Sequence, residues 1–423
     1  MKAPARRLIL VAALLAAGCG VQPGRLAGSS GSDALGTRSI QALPPTGFFD
    51  QDEIFPHALK LIESARTDIC LDMFYMGGKV GEDVARALVA KKQAGLDVKV
   101  LYDPGQGYKE PIRKTVRPVM ALLKDGGVET LPFPVSKLRG IAPIKADHNK
   151  VLIVDGKAAF VGGMNFADVN APNHDLMVQV GGPSAAYMKA VFKLNWALAA
   201  SKAKKYEVAD AETDLAGEEA YESEVLGVPP QPPGAPGGTP VEEDAVSVTH
   251  SGLYGFPTRP QVASLIDNAR KRIWLQMFVL ADDDMCERLK KAAERGVEVK
   301  VLTDPNKFAF AINLGGMPNL GAVKKFRGTP VQIQFFNTKS DEQMHIKMCL
   351  FDDDQVAVGS TNWTKAGFDS NSETTLIARS TRLHRQLGKI FTRDWLAATA
   401  ANPPSQLSPG WKGTVADFIS FLF

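Results

Sequence analysis

The chain has 423 residues, 45% of them hydrophobic and 22% charged, and its formal net charge is +3. This composition excludes an intrinsically disordered protein, and the length is enough for two domains of ordinary size. Beyond the N-terminal apolar run no stretch reaches 18 consecutive apolar residues, so we expect no transmembrane helix in the mature chain.

The N-terminus has the pattern of an export signal. One lysine and two arginines precede an apolar run, residues 8–17, which is shorter than the roughly 20 residues of a membrane-spanning helix. The small residues that follow lead to Cys19, and the arrangement resembles a bacterial lipoprotein signal, in which the cysteine is lipidated. We expect a signal peptide over 1–18 and a flexible Gly-, Ser- and Pro-rich tether over 19–47. The protein would then be membrane-anchored, facing the periplasm or cell exterior, or secreted if Cys19 is not lipidated.

The remaining cysteines, Cys70, Cys286 and Cys349, are odd in number and lack metal-ligand spacing. We interpret them as buried structural thiols, and expect neither a metal nor another cofactor.

The predicted helices cover 51–66, 81–94, 259–271 and 284–295, and the predicted strands cover 69–74, 98–102, 273–278 and 299–303. These elements belong to an internal duplication. Residues 61–74 and 265–278 share the pattern L-I-x-x-A-R-x-x-I-x-L-x-M-F, and residues 95–104 and 296–305 share G-x-x-V-K-V-L-x-D-P.

Helices that alternate with short apolar strands predict an α/β fold in each half. We expect two similar α-β-α sandwich lobes, residues 48–205 and 251–400, related by a pseudo-two-fold axis, with the active site at their interface. We expect residues 401–423 to form a C-terminal tail.

Residues 206–250 contain eleven acidic residues and no Lys or Arg, and their centre is dense in Pro and Gly. We predict an exposed linker there. The rest of the chain is correspondingly basic, which favours partners that carry phosphate.

Each half contains the same polar motif. Its members are His148, Lys150, Asp155 and Asn165 in the first half and His345, Lys347, Asp352 and Asn362 in the second. The spacings from His to Lys, Asp and Asn are two, seven and seventeen residues in both halves. Two copies with identical spacing inside a wider duplication are very hard to obtain by chance.

The spacing places the motif side chains around one site. Residues two apart on a strand face the same side, so each His and its Lys would point together. The glycines at 162 and 163 permit a tight bend that returns Asn165 towards His148. Asp155 and Asp352 lie at hairpin turns and are expected to fix those loops.

These residue types suit phosphodiester chemistry. Lysines and asparagines stabilise the charged phosphoryl oxygens, one neutral imidazole attacks phosphorus, and a second imidazole moves the proton of the leaving or entering oxygen. Asp175 and Glu373 follow the two asparagines at near-matched distances and are candidates to orient the imidazoles. The remaining histidines, His57, His174, His250 and His384, do not recur; we interpret them as surface or structural, with His174 close to the site.

The two motifs resemble the paired HxK(x4)D(x6)GSxN signatures of the phospholipase D superfamily. The resemblance covers nearly the whole chain outside the tether and linker. It implies a two-lobed α/β sandwich, a phosphohistidine intermediate, no metal, His148 as nucleophile and His345 as acid/base. Gly163 stands where the signature has Ser.

The substrate is less well determined. The segment around His174-Asp175 is similar to cardiolipin synthases, whereas the segment from Asn362 to Glu373 is similar to the nuclease branch. The N-terminal signal favours a phospholipase D that hydrolyses or transphosphatidylates phospholipids at a membrane surface. We expect this enzyme to be monomeric. A metal-independent endonuclease, suggested by a basic cluster between 109 and 145, a cardiolipin synthase-like transferase, and a binding protein with an inactive site remain alternatives.

Overall fold

A computed structural model describes residues 44–105, 112–135, 146–203, 244–252, 255–306, 316–339 and 342–401. The predicted signal peptide, Cys19, most of the tether and of the linker, and nearly all of the tail lie outside the described residues, as do Lys109, Lys137, Arg139 and Lys145 of the basic cluster.

The first lobe contains nine strands and four α-helices among its described residues. The strands are β1 (Thr46–Phe49), β2 (Asp68–Met73), β3 (Met76–Gly77), β4 (Asp97–Tyr102), β5 (Glu129–Pro132), β6 (Lys150–Val154), β7 (Ala158–Gly162), β8 (Phe166–Ala167) and β9 (Leu176–Gly181). The helices are α1 (Asp50–Ser64), α2 (Gly78–Gln93), α3 (Ile112–Asp125) and α4 (Pro183–Ala203).

The second lobe repeats this plan. Its strands are β10 (Ala245–Ser251), β11 (Arg272–Met277), β12 (Glu298–Thr303), β13 (Gln332–Phe335), β14 (Lys347–Phe351), β15 (Gln355–Gly359) and β16 (Glu373–Arg379). Its helices are α5 (Thr258–Asn268), α6 (Asp283–Glu294), α7 (Leu320–Phe326), α8 (Lys365–Asp369) and α9 (Thr381–Ala401).

Each lobe is built on a seven-stranded mixed sheet. The strand orders are β1-β9-β7-β6-β2-β4-β5 and β10-β16-β15-β14-β11-β12-β13, so every strand has a counterpart at the same place in the other sheet. The β2-β4-β5 and β11-β12-β13 strands run parallel, and the remaining neighbours run antiparallel. The two similar sheet-containing lobes confirm the predicted α/β fold class.

The alternation of side chains along each strand divides the core into three layers. Helices α1, α2 and α3 cover the outer face of the first sheet, and α5, α6, α7 and α8 cover that of the second. The inner faces of both sheets, with α4 and α9, form one continuous apolar cluster. This shared cluster holds the lobes together and fixes the site at the edge where they meet.

The local elements follow from the sequence. Helices α2 and α6 each end two residues before a glycine with positive φ, Gly95 (91°) and Gly296 (93°), the conformation that favours glycine after a helix. Asp155 (φ 55°) and Gly156 (φ 61°) make the tight turn between β6 and β7. The predicted helices and strands are confirmed, with ends displaced by a few residues.

Two segment boundaries differ from the prediction. Residues 245–250 of the predicted linker lie in β10, because alternating Val246 and Val248 pair along β16 and face the inner core. The last two residues of the predicted tether lie in β1, which pairs with β9. The other boundaries stay predictions.

Cys70, Cys286 and Cys349 are buried thiols outside any disulfide, as predicted. Among the helices in the described part of the chain, none combines the length and apolar character needed to cross a bilayer.

Candidate active site

Each His-x-Lys pair lies at the start of a central strand, with the lysine as its first residue. The Lys150 and Lys347 side chains are buried, and each ammonium donates a hydrogen bond to the main-chain carbonyl of its own motif histidine, at 2.6 Å for Lys150 to His148. The lysine side chain of each motif therefore folds back onto its own strand. The remaining N–H groups of each ammonium are left to bind an anion.

Main-chain contacts join the two motifs across the lobe interface. The His148 N–H donates to the Ser372 carbonyl at 2.9 Å, and the His345 N–H donates to the His174 carbonyl at 2.8 Å. Ser372 and His174 immediately precede the two candidate orienting acids. Each histidine is thereby placed beside the acid of the opposite lobe.

The orienting acids cross over between the lobes. His148 Nδ1 lies 3.0 Å from both carboxylate oxygens of Glu373, and His345 Nδ1 lies 2.7 Å from Asp175 Oδ2. With Nδ1–H donating to a carboxylate, Nε2 of each ring keeps its lone pair. The sequence identified both acids as candidates to orient the imidazoles but assigned neither acid to a particular histidine. Only the packed lobes show the exchange.

Gly163 and Ser360, at matched positions, suit acids of different length. A Cβ on Gly163 would lie 2.2 Å from Asp175 Oδ1, so only glycine admits the shorter acid there. In the second half Ser360 Oγ donates to Glu373 Oε2 at 2.5 Å. The departure from the expected Ser at 163 is therefore a local fit to Asp175.

The two motif asparagines lie two residues beyond these positions. Asn165 is 3% exposed, and Oδ1 of both Asn165 and Asn362 is buried without a hydrogen-bond partner among the described residues. A half-turn of the amide would present N–H donors in its place. The pair is suited to bind phosphoryl oxygens.

Phe74 and Phe278 form a matched aromatic wall that the sequence reasoning did not assign to the site. Each follows the last residue of β2 or β11; their rings lie 5.0 and 4.6 Å from the rings of His148 and His345. The ammonium groups of Lys150 and Lys347 lie 4.8 and 5.1 Å from the same phenyl centroids. Their recurrence in the repeated Met-Phe pair was the available signal.

Burial sets the charge of the site. It lowers the pKa of Lys150 to about 8 and of Lys347 to about 7, against opposition from nearby carboxylates. Burial also lowers the pKa of His148, and it lowers the pKa of His345 to about 4. Lys347 contributes to the shift at His148 and Lys150 to that at His345, so each half-site lies within electrostatic reach of the other.

Asp155 and Asp352 lie at the opposite ends of β6 and β14 from the histidines. The Asp155 carboxylate accepts main-chain N–H groups of Arg66, Thr67 and Asp68, and Asp352 does the same for residues 270–272. Both acids brace a turn and do not approach the imidazoles.

His174 is buried beside the site, with Nδ1 2.7 Å from Asp50 Oδ1 and Nε2 2.8 Å from Asp394 Oδ2. His250 is buried near Thr374, His57 stacks on Phe48, and His384 lies on α9. Among the described residues, none of these three histidines forms a hydrogen bond or a ring contact with a motif residue. No group of three or more His, Cys, Asp or Glu side chains among the described residues is placed to hold a metal ion.

A family model described as "Cardiolipin synthase, PLD-like domain" matches residues 58–196 and 262–395. The chain is 22% identical over 361 residues to cardiolipin synthase 1 of Bacillus cereus, covering 82% of this chain and 65% of that protein. It is 25% identical over 368 residues to cardiolipin synthase of Halalkalibacterium halodurans, covering 82% and 64%. The chain thus spans just under two thirds of the length of these relatives.

Among solved structures, phosphatidylserine synthase of Haemophilus influenzae has the same fold, with a TM-score of 0.63 and 14% identity over 90% of this chain and 93% of that one. The family model covers more than half of the chain, and each of its two matches contains one His-x-Lys motif. The chain therefore belongs to the phospholipase D superfamily.

Proposed function

We propose that this chain is a phosphatidyltransferase of the cardiolipin synthase type, which works through a phosphohistidine on His148. The observation that carries the proposal is the pair of histidines, each held through Nδ1 by the acid of the opposite lobe, with a buried lysine and an asparagine in each half-site. The sequence favours a phospholipase D that hydrolyses or transphosphatidylates phospholipids; we favour its cardiolipin synthase-like alternative because the curated relatives are named cardiolipin synthases.

In the first step the Nε2 lone pair of neutral His148 forms a bond to phosphorus, and the bond from phosphorus to the leaving alcohol breaks. His345 supplies the proton to the leaving oxygen. Burial keeps His345 neutral in the free protein. A phosphodiester anion between Lys150 and Lys347 raises the pKa of His345, because a nearby negative charge favours the imidazolium.

In the second step neutral His345 removes the proton of an incoming hydroxyl, whose oxygen bonds to phosphorus as the N–P bond breaks. The electron pair returns to His148 Nε2 and the cycle closes. An alcohol acceptor gives transfer, and water gives phosphatidic acid by hydrolysis.

A leaving group that needs no proton separates the two histidine roles. We expect His148→Ala to lose turnover of phosphatidylglycerol and of a phosphatidyl ester of p-nitrophenol. His345→Ala should lose turnover of phosphatidylglycerol but still release one equivalent of p-nitrophenol and accumulate acid-labile label on His148. A burst in His148→Ala, or label on another residue, would contradict the assignment.

Product analysis tests the substrate class. Wild-type protein with phosphatidylglycerol vesicles should form cardiolipin and glycerol in preference to phosphatidic acid. Phosphatidic acid alone would return the assignment to a hydrolase. Cleavage of single-stranded DNA with no lipid turnover would place the protein in the nuclease branch.

We also propose that a lipid on Cys19 holds the enzyme at its substrate surface, on the basis of the N-terminal signal pattern. Labelling with radioactive palmitate should mark wild type but not Cys19→Ala, and the variant should leave the membrane fraction. Equal labelling of both would exclude this anchor.

A further inference from the structure

Alternate residues around the first motif enter the core between the lobes. His148 and Lys150 face the site, whereas Asp147 and Asn149 are fully buried on the opposite side. The matched positions in the second half are Met344 and Ile346, members of the apolar inter-lobe cluster. The first half therefore buries an acid and an amide where hydrocarbon is sufficient for the fold, at a cost in stability.

A second acid meets Asp147 in this core. Asp72 of β2, whose counterpart is Gln276, is 5% exposed and lies within hydrogen-bond reach of the Asp147 carboxyl. Neither Asp72 Oδ1 nor Asp147 Oδ2 has a hydrogen-bond donor among the described residues. Burial and repulsion from the nearby Asp72 carboxylate raise the pKa of Asp147 well above its usual value.

Asn149 connects this acid pair to the other lobe. Its Nδ2 donates to Asp147 Oδ1 at 2.9 Å and to Ser372 Oγ at 2.8 Å, and its Oδ1 accepts from Thr374 Oγ1 at 2.8 Å. Ser372 and Thr374 are the two neighbours of Glu373. The amide therefore holds, from the opposite lobe, both sides of the acid that orients His148.

We propose that Asp72, Asp147 and Asn149 are positioning residues that fix the Glu373 carboxylate against His148, and that they serve this half-site alone. The inference rests on the proposed function. The other half-site uses a different set, in which Asp50 Oδ1 accepts the Asp175 N–H at 3.1 Å and the preceding His174 bonds Asp50 and Asp394. The two orienting acids can thus be perturbed separately.

The chain itself supplies the test variant. Asp72→Gln, Asp147→Met and Asn149→Ile together install the residues of the second half at matched buried positions. Replacing a buried polar cluster by well-packed apolar groups is often neutral or stabilising, so the triple variant should unfold at the wild-type temperature or above. Its kcat should fall on the order of 10-fold with KM unchanged, because no group that binds phosphate is altered. Met344→Leu, a volume-conserving change at the position matched to Asp147, is the control and should keep wild-type kcat.

A titration of the His148 ring by 15N NMR makes the result independent of catalysis. In the triple variant the hydrogen bond between Glu373 and His148 should loosen. Because this hydrogen bond favours the imidazolium, the pKa of His148 should fall, whereas the pKa of His345 should not change. An unchanged His148 pKa together with wild-type kcat would overturn the positioning role. Lack of turnover by wild type with a shifted His148 pKa would instead overturn the proposed function and keep the network.

Two substitutions at Thr374 provide a second test in case the triple variant does not fold. Thr374→Val removes the hydroxyl that donates to Asn149, and Thr374→Ser keeps it. Only the valine variant should lower kcat and the His148 pKa, whereas Thr249→Val, which removes a hydroxyl equally buried on the neighbouring strand, should change neither. Equal behaviour of Thr374→Val and Thr249→Val would contradict the proposal.

Discussion

At the scale of single residues, the two orienting acids differ in length, and the residue that faces each acid compensates. Asp175 is one methylene shorter than Glu373 and faces Gly163, where a Cβ would stand 2.2 Å from its carboxylate. Glu373 faces Ser360, which donates a hydrogen bond to it. The two half-sites therefore reach similar imidazole geometry with different side chains.

This compensation predicts a coupled pair of substitutions. Gly163→Ser should displace the Asp175 carboxylate from His345 and lower kcat by roughly 10-fold, since a partner that orients a reactive group contributes about that much. Gly163→Ser with Asp175→Glu installs the combination found in the second half and should recover part of the loss. A double-mutant cycle on kcat measures the coupling. Additive losses would show that residues 163 and 175 act independently.

Because the two motif lysines have lowered pKa values, we expect kcat/KM and kcat to depend differently on pH. Lys347 and Lys150 lose their protons at about pH 7 and 8 in the free protein, so kcat/KM should fall as pH rises through this range. A bound phosphodiester favours the charged ammonium, so the alkaline fall of kcat should lie at higher pH. Initial rates on phosphatidylglycerol from pH 5 to 10 measure both profiles. Coincident alkaline limbs would show that these lysines do not contact the phosphate.

At the scale of the structural element, each central hairpin is braced by the acid at its turn. Asp352 has a φ of 51°, and its carboxylate accepts three main-chain N–H groups, two from the connection between α5 and β11 and one from the first residue of β11. Because these contacts are at the end of β14 away from His345, they support the strand without touching the chemistry.

Asp352→Ala should therefore destabilise the protein by roughly 1–3 kcal/mol, the cost of leaving main-chain donors without their acceptor. The kcat of the folded fraction should stay at the wild-type value. Denaturant unfolding and kcat under native conditions measure the two effects. Asp352→Asn keeps one acceptor oxygen and tolerates positive φ, so its loss should be smaller. A fall in kcat without a fall in stability would assign Asp352 to catalysis.

At the scale of the whole molecule, His174 connects the lobes by an ionic bridge. Its ring lies between Asp50 of the first lobe and Asp394 of the second, and stacks on Phe336 with centroids 5.2 Å apart. Burial alone would lower the pKa of His174, but the hydrogen bonds to Asp394 and Asp50 outweigh it and raise the pKa to about 9. The hydrogen bond to His174 lowers the pKa of Asp394, although burial alone would raise it.

The raised pKa predicts that stability depends on alkaline pH. The contribution of His174 is fully present below its unfolded pKa of about 6.5 and is lost as pH rises through about 9, a change on the order of 3 kcal/mol. The stability difference between wild type and His174→Gln, measured by unfolding from pH 6 to 10, should therefore shrink across this interval. A difference independent of pH would mean that the imidazole is neutral in the folded protein.

The sequence by itself determined the duplication, the α/β class, the local elements and the candidate reactive side chains, because these depend on periodicity and on fixed spacings within one segment. It identified Asp175 and Glu373 as acids for the imidazoles for the same reason. It missed Phe74 and Phe278, since an aromatic residue at a strand end is equally expected in a core.

Only the tertiary structure decided which acid serves which histidine, why Gly163 replaces Ser, and how Asn149 reaches Glu373. Each of these contacts joins residues of opposite lobes or of distant strands, as in the 225 positions between His148 and Glu373. No local pattern specifies such a pair, because its partners meet only when the inner faces of the two sheets pack into one core.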